Sequence, residues 1–110
     1  MENWEDEEYC LKMVKEDGNN IQFIKDPSLE VQIEAVKQIG LSIQIIKEPF
    51  NEVKLEAVKQ NGWSIQYIED PCFELIYQAI ETAPKLDINL IKVSEEKLYE
   101  FKEEFPELFI

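Results

Sequence analysis

The chain has 110 residues and a net charge of −13, from 24 acidic and 11 basic residues; every basic residue is a lysine, and there is no histidine. Without arginine to fork onto phosphate, an acidic chain is not expected to bind nucleic acid directly. Without histidine it lacks a side chain that titrates near neutrality and an imidazole metal ligand. Apolar residues at 45% and aromatics at 11% fit one folded domain over residues 1–110.

The chain opens on Met1-Glu-Asn-Trp-Glu-Asp-Glu-Glu8, which has neither the basic start nor the apolar run of a signal peptide. No apolar stretch approaches the ~18 residues that would span a membrane. We therefore expect a cytoplasmic protein with no membrane contact and no cofactor. Cys10 and Cys72 occupy different positions of the repeat described next. Stacking would hold them ~25–30 Å apart at ordinary helix spacing, beyond disulfide reach, so reduced and partly buried thiols are expected.

From Tyr9 onward the sequence repeats. Val31–Pro49 and Val53–Pro71 agree at 12 of 19 positions, and Gly18, Gly40 and Gly62 fall in register at a 22-residue period, as do Pro27, Pro49 and Pro71. A fixed period of this length marks stacked units that share one core. The units are read as residues 5–27, 28–49, 50–71 and 72–93, followed by a cap over 94–110.

In the first half of a unit, Val31, Ala35, Val36 and Ile39 recur at helical spacings with Glu34 and Lys37 between them, which predicts an amphipathic helix. Asp26, Pro27 and Ser28 supply its start signals, and Gly40 is expected to end it in the left-handed conformation. The second half, Leu41-Ser-Ile-Gln-Ile-Ile-Lys47, is rich in β-branched residues. It is read as a second, shorter helix with Ile43 and Ile46 facing the core and Ser42 capping locally. A helix-plus-strand unit resembling leucine-rich repeats is the alternative.

Copy one places Leu11, Val14, Ile21 and Ile24 in the core positions. In copy four Pro84 replaces the glycine, so the helix should stop near Thr82, and one inserted residue precedes Ile88 and Ile91. Ser94 is then expected to cap a last helix whose Leu98, Phe101, Phe105 and Leu108 form an apolar stripe. Ala35, Ala57 and Ala79 share one position, where a small side chain lets helices approach closely. The fold class is therefore all-α: short helix-turn-helix repeats stacked as a small curved solenoid with a C-terminal capping helix.

Residues Ala57-Val-Lys-Gln-Asn-Gly-Trp-Ser-Ile-Gln-Tyr-Ile-Glu-Asp-Pro71 resemble a family of short tandem repeats of the AVKQNG type. That family has no known function and occurs in phage, giant-virus and bacterial proteins. The resemblance covers roughly residues 9–93; copy one departs with Lys15-Glu-Asp-Gly18, and copy four loses the glycine and the proline. It implies an array of helical pairs in a phage or viral setting and supplies no catalytic residues.

Several rows of side chains recur with the period. Gln22, Gln44 and Gln66, with Asn89, form a polar ladder, read as bonding neighbouring backbone; a row of amides could also bind an extended peptide. Glu30, Glu52 and Glu74 recur near each helix start, with Glu34 and Glu56 as a second row. Such acids complement the helix dipole, and they could also imitate a phosphate backbone toward a basic protein. Residues 1–17 carry −5 and residues 94–110 carry −4, leaving −4 for the middle. Glu5, Asp6, Glu7 and Glu8 form either a docking patch or a solvated helix start. Asn19, Leu41 and Trp63 vary at one position, and Phe23, Ile45 and Tyr67 at another. Trp63, next to its glycine, is either an interface anchor or a cover for the turn. Phe105, Leu108, Phe109 and Ile110 either fold back or seal a homodimer.

Catalysis has little support: there is no histidine base, no activated nucleophile and no phosphate loop, and the carboxylates, which alone could serve glycosidase-type chemistry, repeat with the period as structural positions do. The expected function is a non-catalytic protein-binding module. Its partner would be a host protein with a basic surface, such as a nuclease, inhibited by a phage or viral anti-CRISPR or other anti-defence protein. A homo-oligomeric scaffold and a small-ligand sponge are the alternatives. The expected partner-binding residues are Glu30, Glu52, Glu74, Glu34, Glu56, Trp63, Tyr67 and Glu5, Asp6, Glu7 and Glu8.

Overall fold

A computed structural model describes residues 3–109. Five α-helices of ten residues, α1 (Glu7–Glu16), α2 (Leu29–Gln38), α3 (Asn51–Gln60), α4 (Phe73–Thr82) and α5 (Glu95–Glu104), alternate with short 3₁₀ segments. These are η1 (Gly18–Phe23), η2 (Gly40–Ile45), η3 (Gly62–Tyr67), η4 (Ile88–Leu90) and η5 (Pro106–Phe109). The α-helices begin 22 residues apart throughout, so the C-terminal helix is a further copy of the unit in register. Among the described residues the only β contact is an isolated parallel bridge between Glu69 and Lys92. The chain is an all-α repeat protein.

Consecutive helices α1 to α4 lie side by side, and so do η1 to η3, giving one layer of each kind with a shared core between. A ten-residue helix is only ~15 Å long. The 55 Å dimension of the 55 × 24 × 17 Å molecule is therefore the stacking direction.

The second half of each unit is helical, as expected, but of the 3₁₀ type. Ile21 and Ile24, Ile43 and Ile46, and Ile65 and Ile68 sit three apart and point inward. At three residues per turn such a pair eclipses, so one short apolar row reaches the core without the fourth-residue neighbour an α-helix needs. Hydrogen bonds from Ser42 N to Ile39 O (2.9 Å) and Ile46 N to Ile43 O (3.1 Å) close the first and last turns of η2. Asp17 and Asn61 open η1 and η3 by accepting from the N–H of Asn19 (2.9 Å) and Trp63 (3.0 Å).

The glycines do not end the helices in the left-handed conformation: no glycine has positive φ. Their role is close approach. A methyl group on Gly18 or Gly62 would overlap the carbonyl oxygen of Ala35 or Ala79 in the next helix, and on Gly40 it would lie 2.7 Å from Ala57 O. Each glycine thus seats against the alanine column of the following unit, and the two small residues are one contact seen from both sides.

Polar side chains inside the array pair across units. Ser42 Oγ, fully buried rather than capping its own turn, donates to Asn19 Oδ1 of the preceding unit at 2.8 Å. Leu41 stands where Asn19 stood, and the buried Ser64 hydroxyl finds no partner. Gln32 donates to Pro27 O (3.1 Å) and accepts from Phe50 N (3.4 Å), and Gln60 Oε1 accepts from Gly40 N (2.7 Å).

At the N-terminal end Trp4 packs on Tyr9 and Phe23, and the buried Cys10 thiol donates to Trp4 O at 3.2 Å. Burial, then Glu7 and Asp6, push the Cys10 thiol above its ordinary pKa. Cys72 is exposed instead of partly buried, and both thiols are free.

At the other end α4 stops at Thr82, and Ile91 is buried after the inserted residue. Rings, not backbone contact, join α5 to α4: Phe105 is buried against Phe73, Tyr77 and Phe101. Tyr77 donates to the Glu104 carboxylate, which holds its hydroxyl above the ordinary pKa. Ser94 makes no side-chain cap; instead its N–H donates to Asp70 Oδ1 (3.1 Å), and Lys97 lies 3.4 Å from the other oxygen. These contacts, the Ser94 N–H first, hold the Asp70 carboxyl below its ordinary pKa. Asp70 reaches this position at φ 45°, a conformation that aspartate tolerates better than most residues. Leu108 folds back onto the core and Phe109 meets Phe101 edge-on; Leu98 is exposed rather than part of the stripe, and Ile110 lies outside the described residues.

Candidate functional site

The stacking of η1, η2 and η3 places three equivalent sets of residues next to one another: Asn19-Gln22-Phe23, Leu41-Gln44-Ile45 and Trp63-Gln66-Tyr67. Asn19 turns to the buried Ser42 hydroxyl and Ile45 packs on the core, so the exposed members are Gln22, Phe23, Gln44, Trp63 and Tyr67. None of the residues of η1, η2 or η3 is charged. In a chain that is 32% charged, the three segments themselves are neutral, and Lys25, Asp26, Lys47 and Glu48 border them in a groove that Gln22 and Ile45 also line. Trp63 is 38% exposed, Tyr67 40% and Phe23 54%. Trp63 is therefore covered over most of its surface while still reaching solvent.

The amide row faces outward as well. Gln22, Gln44 and Asn89 are exposed and their side chains bond no neighbouring backbone. Gln66 is half-buried, and its Nε2 donates to Trp63 O within its own turn at 3.1 Å. The expected inter-unit amide bonds are made by Gln32 and Gln60 instead. These sit on the α-helices, where the helix axis aims the long side chain at the adjoining unit; a 3₁₀ residue one step from the inward isoleucines points to solvent.

Glu30, Glu52 and Glu74 are exposed in the first turns of α2, α3 and α4, and Glu8 and Glu96 continue the column onto α1 and α5. Glu34 and Glu56 are half-buried. Among the described residues the only ion pairs are Lys92 with Glu69 and Lys97 with Asp70, so no glutamate of the column is ion-paired, although Lys54 lines the groove between Glu52 and Glu74. Glu52 and Glu74 share a shallow groove with Glu69 and Asp70, which Trp63 and Tyr67 do not line. The acids and the aromatics thus form separate surfaces.

The N-terminal patch divides too. All four acids are exposed, but Asp6 caps α1 by accepting from Glu8 N (2.9 Å) and Glu7 Oε2 accepts from Ser28 Oγ (2.6 Å), which leaves Glu5 and Glu8 without a side-chain hydrogen bond. Among the described residues no group of three metal-ligating side chains converges, and no helix is long and apolar enough to cross a membrane.

The stacking of the three neutral segments is not visible in any one column of the repeat. The signal that finds them is negative: charge is missing from residues 18–23, 40–45 and 62–67 together. The continuation of the acidic column to Glu96 follows from keeping the 22-residue register beyond residue 93.

Fold and site together define an all-α repeat array with one acidic edge and one neutral face. Comparison with protein-family models, curated proteins and solved structures gives no match to the chain.

Proposed function

We propose that the protein is a non-catalytic protein-binding module whose contact surface is the neutral face of η1–η3. The observation that carries this reading is the exposure of Trp63, Tyr67 and Phe23 on stacked segments that themselves contain no charged residue, in a chain of −13. Aromatics displayed on a rigid scaffold bury large area at little entropic cost and dominate binding energy at interfaces. The acidic column, whose glutamates form no ion pair, has a different part. It attracts a partner with a basic surface and raises the encounter rate, an effect that salt screens.

The partner we propose is a host protein with such a surface, a nuclease being one example. The role is that of a phage or viral inhibitor, the setting that the repeat resemblance implies. End-to-end assembly is the less favoured use of the fold. Lys97 and Lys102 of α5 occupy the columns that hold the buried Val31 and Val36 in α2, so α5 does not repeat the apolar face on which the inner helices stack.

Affinity capture from host lysate at about 0.05 and 0.5 M salt tests this. A Trp63→Ala/Tyr67→Ala variant is expected to lose the partner at both concentrations. A Glu30→Gln/Glu52→Gln/Glu74→Gln variant is expected to weaken recovery mainly at low salt. Retention of the same partner by the aromatic variant would contradict the reading.

A further inference from the structure

We infer that the C-terminal cap is an autoinhibitory element: Lys92 and Lys97 occupy two carboxylates of the acidic groove, and a lysine-bearing segment of the partner that enters the groove displaces them and loosens α5. The inference rests on the role proposed above for the acidic column and adds how that column is regulated.

Three observations converge. The first is where the cap is fastened. Glu69 and Asp70 line the same groove as Glu52 and Glu74 of the column. Lys92 Nζ lies 3.2 Å from Glu69 Oε1, and Lys97 Nζ lies 3.4 Å from Asp70 Oδ2. In a chain with 24 acidic residues, both ion pairs found among the described residues fall at this groove. The cap thus already presents to the groove the chemistry of a basic partner, lysine on carboxylate.

The second is that the third unit departs from the repeat to make these contacts. Glu69 stands where Lys25 and Lys47 stand in the units before it, and a lysine there would repel Lys92 instead of holding it. Asp70 has φ 45°, whereas Asp26 and Glu48, in register with it, do not have positive φ. In that conformation Asp70 N donates to Lys92 O (2.9 Å) and Asp70 Oδ1 accepts from Ser94 N (3.1 Å). A backbone conformation uncommon for a residue with a side chain persists where its surroundings over-determine it.

The third is the weakness of the fastening. The side chains of Lys92 and Glu69 are 51% and 82% exposed, and those of Lys97 and Asp70 are 40% and 43% exposed. Such pairs contribute little individually and exchange with other ions. During encounter, lysines of the partner drawn to Glu52 and Glu74 reach Glu69 and Asp70 and compete for them. With those pairs lost, α5 relies on its ring cluster and the Tyr77–Glu104 hydrogen bond. The coupling is reciprocal: the factor by which a bound cation loosens the cap is the factor by which a loosened cap strengthens cation binding.

Fluorescence anisotropy with labelled hexalysine on the full chain, at about 0.05 M salt, provides the test. Lys92→Gln/Lys97→Gln is expected to tighten binding by about threefold or more. Lys12→Gln/Lys15→Gln removes the same charge from α1, at the other end of the array, and is expected to change it by less than about 1.5-fold. With saturating hexalysine, amide hydrogen exchange should rise about threefold or more in α5 and should not rise in α1. Equal tightening by the two lysine variants, exchange in α5 unaltered by bound hexalysine, or no binding at about 1 mM would each overturn the inference. If any of these occurs while partner capture at low salt still depends on Glu30, Glu52 and Glu74, only this inference falls. If capture is also indifferent to those glutamates, the role proposed for the acidic column falls with it.

Discussion

Gly62→Ala is expected to destabilise the protein by about 2–3 kcal/mol, a loss that sets close approach against chain entropy. Gly62 does not have positive φ, so alanine could take its backbone conformation without strain. On that ground alone the substitution should stabilise by about 0.4–1 kcal/mol, because the unfolded alanine chain has fewer conformations to lose. The collision decides the sign. The new methyl would overlap Ala79 O, a carbonyl fixed in the α4 backbone, and would lie 2.6 Å from Thr82 Oγ1 and 2.8 Å from Ala83 Cβ. Thr82 can rotate, but the carbonyl can move only if α4 separates from η3. Urea unfolding reads the outcome as a lower midpoint with an unchanged slope. A raised midpoint would mean that the packing does not require glycine at this position. The fourth unit shows what removes the constraint. Pro84 replaces the glycine where Phe101 replaces the alanine, and rings hold α5 away from α4.

Phe105→Ala is expected to cost about 3–5 kcal/mol, the largest effect of any single change considered. Phe105 is 1% exposed and touches three other rings, so alanine leaves a cavity that Phe73, Phe101 and Tyr77 are too constrained to fill. The loss falls on one joint. Outside this cluster α5 is tied to the array by Asp70 with Ser94 and Lys97, by Tyr77 with Glu104, and by the Glu69–Lys92 pair. All of these are exposed and individually weak. Amide hydrogen exchange should therefore rise first and most in α5, with α1 and α2 protected longer, because each unit draws stability from its neighbours. Uniform loss of protection along the chain, or a cost below about 1 kcal/mol, would contradict this account of the cap.

Much of this architecture is legible in the sequence, and what is not has identifiable causes. The Gly and Ala columns reveal stacked helices because close packing leaves only small side chains, and small side chains stand out in a repeat. The same columns do not reveal why the glycine is there. A glycine after a helix suits either a left-handed cap or a close neighbour, and only coordinates show the Ala carbonyl beside it. The second half of the unit reads as helix from Ile43 and Ile46, yet its type depends on having no apolar residue at the fourth position, a weak signal in six residues. Ser94 reads as a cap for α5, but Asp70, 24 residues earlier, accepts its N–H, and no local pattern announces a contact that distant. For the site, Trp63 and Tyr67 are visible as variable aromatics. Their union with Gln22, Gln44, Phe23, Leu41 and Ile45 is not, because it arises from the stacking of three segments.

The division of labour between the two surfaces is the central functional claim, and binding kinetics with the captured partner test it most directly. Trp63→Ala/Tyr67→Ala is expected to accelerate dissociation at least tenfold and to change association little, because anchors set residence time. Glu30→Gln/Glu52→Gln/Glu74→Gln is expected to slow association and flatten its salt dependence, with dissociation nearly unchanged. The opposite pattern, with dissociation governed by the glutamates and indifferent to Trp63 and Tyr67, would place the contact on the acidic edge and contradict the neutral face as the binding surface.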